Sequence, residues 1–407
     1  MAITDIKEYA HLTTEDVEQL ARELDAIRAD IEESRGARDE RYIRRSIHLQ
    51  RALDAGGRIA LFASRNKLAW TAGTGMLAMA KIIENMELGH NITHGQWDWM
   101  NDPEIHSTEW EWDSTCPSVQ WKHSHNFVHH KYTNIVGLDE DVGYGIMRVT
   151  RDEAWKPWMV GNPIYNLLLG TFFQWGVALH HLESRKIRNH EKTWAEARKD
   201  LRVIGKKVAK QAGKDYLIFP ALTGRNWKQT FKANMVANLI RNYWAYGVIF
   251  CGHFPDGAEK FTVEEFENET PGEWYLRQML GSANFNAGPV MAFVSGNLCY
   301  QIEHHLFPDL PSNRYAEIGV RVRALCEKYD LPYTTGSIGR QYWQSFWTIL
   351  KLALPDKLLR ATSEDAPETN SELKFRVREG LRESFVDPAT GKRRGLRTAL
   401  RELRAAS

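Results

Sequence analysis

Residues 125–130, HNFVHH, decide the fold, because their histidines act together only if the segment is helical. A spacing of four residues puts His125 and His129 on one face of a helix, close enough for both imidazoles to bind one metal ion. The second histidine of the adjacent pair can reach another ion. Similar patterns occur in residues 89–94, GHNITH, and in residues 301–305, QIEHH. Three such segments predict helices that meet at one metal site.

The number of imidazoles indicates the kind of site. The three segments supply seven histidines, and His253 in CGHFPDG, directly after an apolar stretch, makes eight. One zinc ion takes four ligands at most, so eight histidines fit two metal ions better; imidazole suits zinc, copper, iron and nickel. The chain has no HExxH motif, which disfavours a hydrolytic zinc site, and no paired ExxH motifs of the kind found in carboxylate-rich di-iron bundles. An all-imidazole dinuclear iron site for oxygen chemistry remains the good fit.

Composition limits the other possibilities. The chain has 407 residues, with 53 Lys and Arg against 52 Asp and Glu, so its charge balance favours neither nucleic acid nor an acidic partner. Hydrophobic residues make up 43% of the chain, which is enough for a large core. The four cysteines form no CxxC pair, which argues against a disulfide framework or a cysteine zinc site. The first residues lack a basic and apolar leader, so no secretory signal is expected.

The hydropathy pattern predicts an all-α protein with few membrane spans. Apolar residues at three- and four-residue steps predict a helix over 14–53, and Thr13 with Asp16 fits a capping box. Apolar runs at 160–179 and 235–252 are candidate spans, since about twenty apolar residues cross a bilayer. The mean hydropathy of −0.48 is low for a polytopic membrane protein, which keeps a soluble helical protein open as the alternative.

The predicted organisation has three parts. These are an N-terminal helical region in residues 1–54, the histidine-bearing domain in residues 55–335, and an amphipathic and basic tail in residues 336–407. Residues 185–232 hold fourteen Lys and Arg, and positive segments stay in the cytoplasm. The predicted fold is therefore a membrane-embedded helical bundle with a cytosolic helical cap that holds a histidine-rich di-iron site, with 160–179 re-entrant or paired with another crossing.

The histidine segments and their flanks resemble those of the membrane fatty acid desaturase family. The stretches GHNITHGQWDW (89–99), HSHNFVHHKYTNIVGLDED (123–141) and YQIEHHLFPDLP (300–311) are similar to the three boxes of that family in order and spacing, over roughly residues 55–335. The third resembles the subfamily in which Gln replaces the first His, and WDWMNDPEIHS resembles actinobacterial acyl-CoA desaturases. The resemblance implies these iron ligands: His90, His94, His125, His129, His130, His253, His304 and His305.

Further residues are candidates for the surroundings of the metal. Gln301 occupies a box position, although an amide is a poor iron ligand. Asp139 and Asp141 follow the second box and could accept imidazole N–H groups, or could instead cap the loop. The remaining histidines are interpreted as ordinary, with His123 and His180 as candidates for outer hydrogen-bond partners. The resembled family can also hold a water molecule through an asparagine, for which the candidates are Asn242, Asn284 and Asn286.

The resemblance implies an oxygen-dependent enzyme that inserts a cis double bond into a fatty acyl chain, carried as acyl-CoA or acyl-lipid. An unactivated CH₂ group has no acidic proton, so the chemistry needs two iron ions and O₂ rather than acid–base catalysis. No haem, flavin or iron–sulfur motif is present, so a separate electron donor is expected, namely a ferredoxin, a flavin reductase or both. The alternatives are a fatty acyl hydroxylase on the same iron site and a zinc-dependent or non-catalytic membrane protein.

Location and partners follow from the same features. The protein is expected to be integral to a membrane, with the di-iron site facing the cytoplasm, and to have no nucleic-acid partner. The basic segment 185–214 is predicted to bind anions: acyl-CoA phosphates, lipid head groups or an acidic donor protein.

Overall fold

Helices dominate the structure, as the hydropathy pattern predicts. The computed structural model describes residues 11–183, 186–187, 190–255, 257–359, 395 and 398. Two three-residue strands, β1 (Asn284–Asn286) and β2 (Thr335–Ser337), pair in parallel. The α-helices are α1 (Thr14–Glu33), α2 (Ala37–Leu61), α3 (Lys67–Ile83), α4 (Asn91–Thr93), α5 (Ser118–Trp121), α6 (His130–Tyr132), α7 (Asn162–Thr171), α8 (Phe173–His180), α9 (Trp194–Gly213), α10 (Phe219–Leu222), α11 (Trp227–His253), α12 (Val263–Phe266), α13 (Pro271–Gly281), α14 (Pro289–Val294), α15 (Gln301–Leu306), α16 (Tyr315–Lys328) and α17 (Ile338–Lys351).

Several helices continue into π-helical turns, which occupy Glu84–His90, Lys122–His129 and Lys214–Ile218 in the described part of the chain. The first of these follows α3 and leads into α4, and the second joins α5 to α6. Both carry histidines of the predicted metal site. Single π-helical turns inside α-helices are rare and are often found at functional sites.

The capping box predicted for the first helix is confirmed. The Asp16 backbone N–H donates to Thr13 Oγ1 at 3.1 Å, and the Thr13 N–H donates to Asp16 Oδ2 at 2.8 Å. The prediction of one helix over 14–53 is wrong, because the chain turns after Glu33 and α2 begins only after Gly36. The expected boundary between residues 54 and 55 falls inside α2.

Helices α2 and α3 pack closely and deliver the chain to the first histidine segment. A Cβ atom on Gly57 would lie 3.0 Å from the Gly73 carbonyl oxygen, and one on Gly73 would lie 3.0 Å from that of Gly57. Only residues without a side chain allow the two backbones to approach this closely. Asn66 caps α3 by accepting hydrogen bonds from the N–H groups of Leu68 and Ala69 at 2.9 and 3.2 Å.

The run predicted as a membrane span at 160–179 is two short helices rather than one. Helices α7 and α8 are separated at Phe172, whose φ of −110° and ψ of 31° are not helical. One continuous spanning helix over this run is therefore wrong, whereas the re-entrant alternative stays a prediction. The other candidate, 235–252, lies inside the 27-residue α11. Among the described residues, no helix combines the length and the apolar composition that crossing a bilayer requires.

Two cores hold the histidine segments in place. One lies under α15, where buried side chains of α1, α13 and α16 pack together, including Leu20, Leu276, Ile302 and Ile318. The other surrounds α11 and joins it to α7, α8 and α17. The strand pair ties the segment before the third box to β2, so the expected boundary after residue 335 lies inside this pairing. Residues 360–394, 396–397 and 399–407 of the predicted amphipathic and basic tail lie outside the described residues.

Candidate metal centre

All eight candidate ligands lie together. Nitrogen atoms of His90, His94, His125 and His304 lie within 4.8 Å of one another, and those of His129, His253 and His305 form a second such group. The His130 ring lies between the groups, with its centroid 4.7 Å from that of His94 and 4.5 Å from that of His305. Four different parts of the chain thus supply two sets of imidazoles side by side.

All of these histidines except the partly exposed His125 are buried, and their imidazoles are available as ligands. Burial lowers the pKa of His90 to about 3 and lowers those of His94 and His304 well below the usual value, so these rings are neutral at pH 7. The Nε2 atoms of His94, His125, His129 and His304 have no hydrogen-bond partner, and neither does either ring nitrogen of His130. Buried polar atoms are normally paired. Unpaired lone pairs that converge on two points are what two metal ions would satisfy, so the residues fit a dinuclear site.

Asp139 orients His129. Its carboxylate oxygens lie 3.0 and 3.1 Å from His129 Nδ1, and they also accept the backbone N–H groups of Asn134 at 2.8 Å and Asp141 at 3.0 Å. Burial alone would lower the pKa of His129, but the Asp139 and Asp141 carboxylates raise it to about 9. Asp139 therefore serves both roles considered from the sequence, because it holds the loop and accepts from an imidazole.

Asp141 faces three histidines. Its carboxylate lies 3.5 Å from His129 Nδ1, 3.7 Å from His125 Nδ1 and 3.6 Å from His180 Nδ1. Burial would raise the pKa of Asp141, but these imidazoles hold it well below its usual range. His180 also contacts the Glu140 carbonyl oxygen through Nε2 at 2.9 Å. His180 therefore belongs to the surroundings of the site, whereas His123 stacks on Phe127.

Other partners of the imidazoles were missed by the sequence analysis. Tyr315 Oη lies 3.2 Å from His304 Nδ1, and Gln278 Oε1 lies 3.2 Å from His305 Nδ1. Thr133 Oγ1 is 3.3 Å from the same His305 nitrogen. Such contacts fix the orientation of a ligating imidazole. Thr133 follows the second box within three residues of His130, which is the one signal that could have indicated it.

Gln301 lies beside the second group of histidines. Its Nε2 atom is 3.0 Å from His253 Nε2, and its Oε1 atom has no hydrogen-bond partner. The close approach depends on Gly252, where a Cβ atom would lie 2.8 Å from Gln301 Cγ. The chain thus brings a neutral amide, rather than another imidazole, to this edge of the site.

The three asparagine candidates lie elsewhere. Asn242 lines the neighbouring cavity, donates to the Thr171 carbonyl oxygen at 2.8 Å and accepts from Arg241 at 3.0 Å. Asn284 supports α15, because it accepts from the Ile302 N–H at 2.9 Å. Asn286 is exposed. None of their hydrogen bonds described here joins an imidazole.

A buried hydrogen-bond network, which we call the Glu87 network, extends from the site toward α2. Glu87 has hydrogen bonds with Ser312, Tyr42, Asn297 and Asn91, and burial raises its pKa to about 8. The Ser312 hydroxyl donates to Glu87 Oε1 at 2.7 Å, and Asn297 Nδ2 donates to Glu87 Oε2 at 3.1 Å. At the inner end of the network, Asn91 Oδ1 lies 2.9 Å from His90 Nδ1.

The network reaches the other side of the first histidine group as well. The Ser312 N–H donates to Gln96 Oε1 at 2.9 Å, and Gln96 Nε2 donates to Tyr315 Oη at 2.9 Å. Because Tyr315 contacts His304, the network holds His90 and His304 from two directions. Gln96 stands two residues after His94 in the first box, but nothing in its spacing indicates this role.

A narrow cavity of about 70 Å³ begins at the histidines. Its metal-site end is lined by His90, His125, His253 and Gln301, and Trp121 stacks on His125 with ring centroids 4.4 Å apart. By area most of the lining is apolar, although polar side chains such as Asn85, Gln174 and Arg241 also line the cavity. The apolar side chains include Met86, Trp112, Phe173, Val177, Ala245, Ile249 and Leu298. The chemistry of the lining suits a hydrocarbon chain that passes the site.

The basic segment 185–214 is partly neutralised within the protein. Lys192 pairs with Asp200 at 2.8 Å, Lys207 pairs with Glu111 at 2.5 Å, and Lys214 pairs with Asp113. Lys206 and Lys210 are exposed. Helix α9 packs Ile204 against Trp112 and Trp121, so it covers one wall of the cavity.

Comparisons with known proteins agree with this site. A family model described as fatty acid desaturase matches residues 68–337. The chain is 59% identical to the NADPH-dependent stearoyl-CoA 9-desaturase of Mycobacterium tuberculosis, over 99% of this chain and 95% of that protein. It is 24% identical to the sn-1 linoleoyl-lipid 6-desaturase of Synechocystis sp., over 64% of this chain and 74% of that protein. Because the family model covers most of the chain and the mycobacterial relative covers nearly all of it, this chain belongs to the fatty acid desaturase family.

Proposed function

We propose that this chain desaturates long-chain acyl-CoA with O₂ at two iron ions held by the eight clustered histidines. The observation that supports this most is the pair of imidazole groups, with unpaired buried nitrogens, at the end of an apolar cavity. The overall reaction is RCH₂–CH₂R′ + O₂ + 2 e⁻ + 2 H⁺ → RCH=CHR′ + 2 H₂O. Two iron ions, when bound, would supply the oxidising power that removes hydrogen from an unactivated CH₂ group.

The residues of the chain have separable roles in this proposal. The histidines hold the metal, and Asp139, Tyr315 and Gln278 fix the imidazole rings through their second nitrogens. The cavity aligns one part of the acyl chain with the site and excludes water from it. Trp121 has a double role, because it packs on His125 and also lines the cavity.

The substrate assignment rests on the mycobacterial relative, whose name specifies stearoyl-CoA and position 9. Because the two chains are 59% identical over nearly the whole length, we infer that the substrate is a saturated long-chain acyl-CoA and that the product has a cis double bond at the same position. The exposed Lys206 and Lys210 on α9, next to the cavity wall, are suited to the phosphates of coenzyme A. A hydroxylase on the same metal centre is not favoured, since the relatives compared above are named desaturases.

Electrons are proposed to come from NADPH through a separate flavin reductase or ferredoxin. The mycobacterial relative is named NADPH-dependent. NADPH gives up two electrons as hydride, and the sequence offers no flavin, haem or iron–sulfur motif that could receive them.

We further propose that the protein is integral to the membrane and that its metal site faces the cytoplasm. Large apolar side chains are exposed on helices that pack against one another, α7, α11 and α17, among them Ile164, Leu168, Leu239, Ile240 and Trp347. Exposed apolar surface of this extent marks a membrane or partner surface, and tryptophans favour the membrane–water interface.

The test is His304→Ala, with the exposed His48→Ala as the matched control. The protein is made in iron-replete cells, and cell lipids are analysed by gas chromatography–mass spectrometry together with iron content. We expect His304→Ala to lose the monounsaturated product and iron, and His48→Ala to keep both. A His304→Ala variant with normal turnover, or a wild-type product that carries a hydroxyl group, would contradict the proposal.

A further inference from the structure

A surface cleft of about 530 Å³ lies on α2, apart from the substrate cavity. It is lined by Arg38, Arg41, Tyr42, Arg45, Ser46, Leu49, Phe293 and Asn313. Its basic residues come from one helix at positions i, i+3 and i+7, so they share a face. Phe293 meets Tyr42 edge to face with ring centroids 6.3 Å apart, so the two rings give the cleft an aromatic part beside its charges. We call this feature the α2 cleft.

The charges in the α2 cleft are not all neutralised. Arg38 pairs with Glu317 at 3.1 Å, and the neighbouring Arg44, outside the cleft, pairs with Glu40 and Asp102. Arg41 and Arg45 are exposed and form no ion pair with any described residue. The helix therefore separates arginines that hold the fold together from two that present free charge at the cleft.

The α2 cleft is also connected to the metal site. Tyr42 lines the cleft and belongs to the Glu87 network, with Asn297 Nδ2 donating to its hydroxyl at 3.1 Å. From Glu87 the network continues to Asn91 and His90. It is a continuous path of covalent and hydrogen bonds between the protein surface and a candidate ligand. Tyr42 also stacks on the buried Trp97, with ring centroids 6.2 Å apart.

We propose that the α2 cleft is the docking surface for an acidic electron-donor protein. The inference rests on the proposed function, which requires two electrons per turnover from outside the chain. A redox protein with a carboxylate-rich face would pair with Arg41 and Arg45 and place its redox group over Tyr42. Each docking event oxidises the donor by one electron and reduces the metal centre by one electron. Two docking events therefore supply the two electrons that one turnover needs. The protons and O₂ of the reaction are taken from solution.

Charge and shape favour a protein over a lipid at this place. The three arginines of the cleft follow the helix for about two turns beside the aromatic pair Tyr42 and Phe293, which suits an extended protein surface. Aromatic residues and arginine are enriched at protein interfaces. Exposed charge pairs act mainly on association and weaken with salt, since screening is strong beyond about 10 Å at 0.1 M ionic strength.

The test compares the double variant Arg41→Glu/Arg45→Glu with wild type in nanodiscs of phosphatidylcholine, with stearoyl-CoA and iron supplied. The probes are two acidic carriers, a [2Fe–2S] ferredoxin and a flavodoxin, each reduced by NADPH and a ferredoxin reductase. We expect the KM for the carrier to rise at least about tenfold at low ionic strength. Binding of the oxidised carrier, measured by calorimetry, should weaken by the same factor. Turnover driven by dithionite and methyl viologen should stay unchanged.

The control is Arg51→Glu, because Arg51 is an exposed arginine of the same helix that does not line the α2 cleft. An equal KM increase in Arg51→Glu, an unchanged carrier KM in the double variant, or failure of both acidic carriers to support wild-type turnover would overturn the proposal. The lipid alternative is tested by adding phosphatidylglycerol to the nanodiscs. Stimulation of wild type but not of the double variant, with an unchanged carrier KM, would overturn the proposal and assign the cleft to lipid head groups. If wild type gave no turnover with dithionite and methyl viologen, that result would instead refute the proposed function.

Discussion

Replacing Asp139 with asparagine tests how the site controls metal binding. The Asp139 carboxylate contacts His129 Nδ1 through both oxygens, at 3.0 and 3.1 Å, and is 3% exposed. Asparagine has almost the same shape but removes the charge. Loss of a hydrogen-bond partner behind a ligating histidine typically costs about 10–100-fold in metal affinity, or about 1.4–2.7 kcal/mol.

The pH dependence makes this prediction specific. With a pKa of about 9, His129 of the metal-free protein carries a proton at pH 7, and a metal ion must displace it. Because the pKa of His129 lies about two pH units above pH 7, competition with the proton makes the apparent metal affinity at pH 7 about 100-fold weaker than above pH 9. Asp139→Asn removes a carboxylate that raises this pKa, so proton competition weakens in the variant. The affinity ratio of wild type to variant should therefore be close to one at pH 7 and rise to about 10–100 near pH 9.

The assay titrates metal-free protein with Zn²⁺ as a redox-inert probe, against a competing chelator, at pH 7, 8 and 9. Asp54→Asn is the control, because among the described residues Asp54 pairs with Arg58 alone, on α2, at 2.7 Å. Thermal unfolding of each variant separates metal affinity from folding, since Asp139 also accepts two backbone N–H groups. An affinity ratio that does not change with pH would refute the assigned role of the Asp139 charge.

Two further variants test the packing around the histidines. Gly252→Ala should push Gln301 away from His253, lower the free energy of unfolding by about 1–3 kcal/mol through overpacking, and reduce the metal bound per chain. Gly247→Ala on the same helix is the control: the added Cβ has its nearest neighbour at 4.0 Å, so the variant should be neutral or stabilising. Equal metal content in the two variants would contradict this prediction. Tyr315→Phe should weaken metal binding about 10–100-fold without unfolding the protein, because the hydroxyl that orients a ligating imidazole is lost; metal affinity equal to wild type would show that the contact is not needed.

The clustering of the candidate ligands was predictable because these histidines follow short, local spacings. The i, i+4 pairs and the adjacent pairs in the boxes hold without any knowledge of the tertiary fold, and Asp139 follows its partner His129 by only ten residues. Tyr315 and Gln96 could not be found in this way. They are 219 residues apart in sequence, and although Gln96 lies in the first box, nothing in its spacing points to Tyr315, which lies outside all three boxes.

The continuous helix expected at 160–179 is absent for a related reason. An uncharged run at 160–179 satisfies a length rule, but that rule does not detect a backbone break such as the one at Phe172. Many of the apolar side chains of the run are instead shared between a buried face, such as Leu169, and an exposed face, such as Leu168. Hydropathy averaged over a window does not distinguish these two uses of an apolar residue.

The π-helical turn at Lys122–His129 explains how one box can serve both groups of ligands. In an α-helix, His125 and His129 would share a face, but His130, five residues after His125, would point about 140° away. A π-helical turn has i→i+5 hydrogen bonds and more residues per turn, so residue i+5 returns toward residue i. In the structure the ring centroids of His129 and His130 each lie 5.0 Å from that of His125. The α-helical spacing rule thus predicted histidines that the structure brings together, but the wider turn is what directs these three imidazoles toward one another.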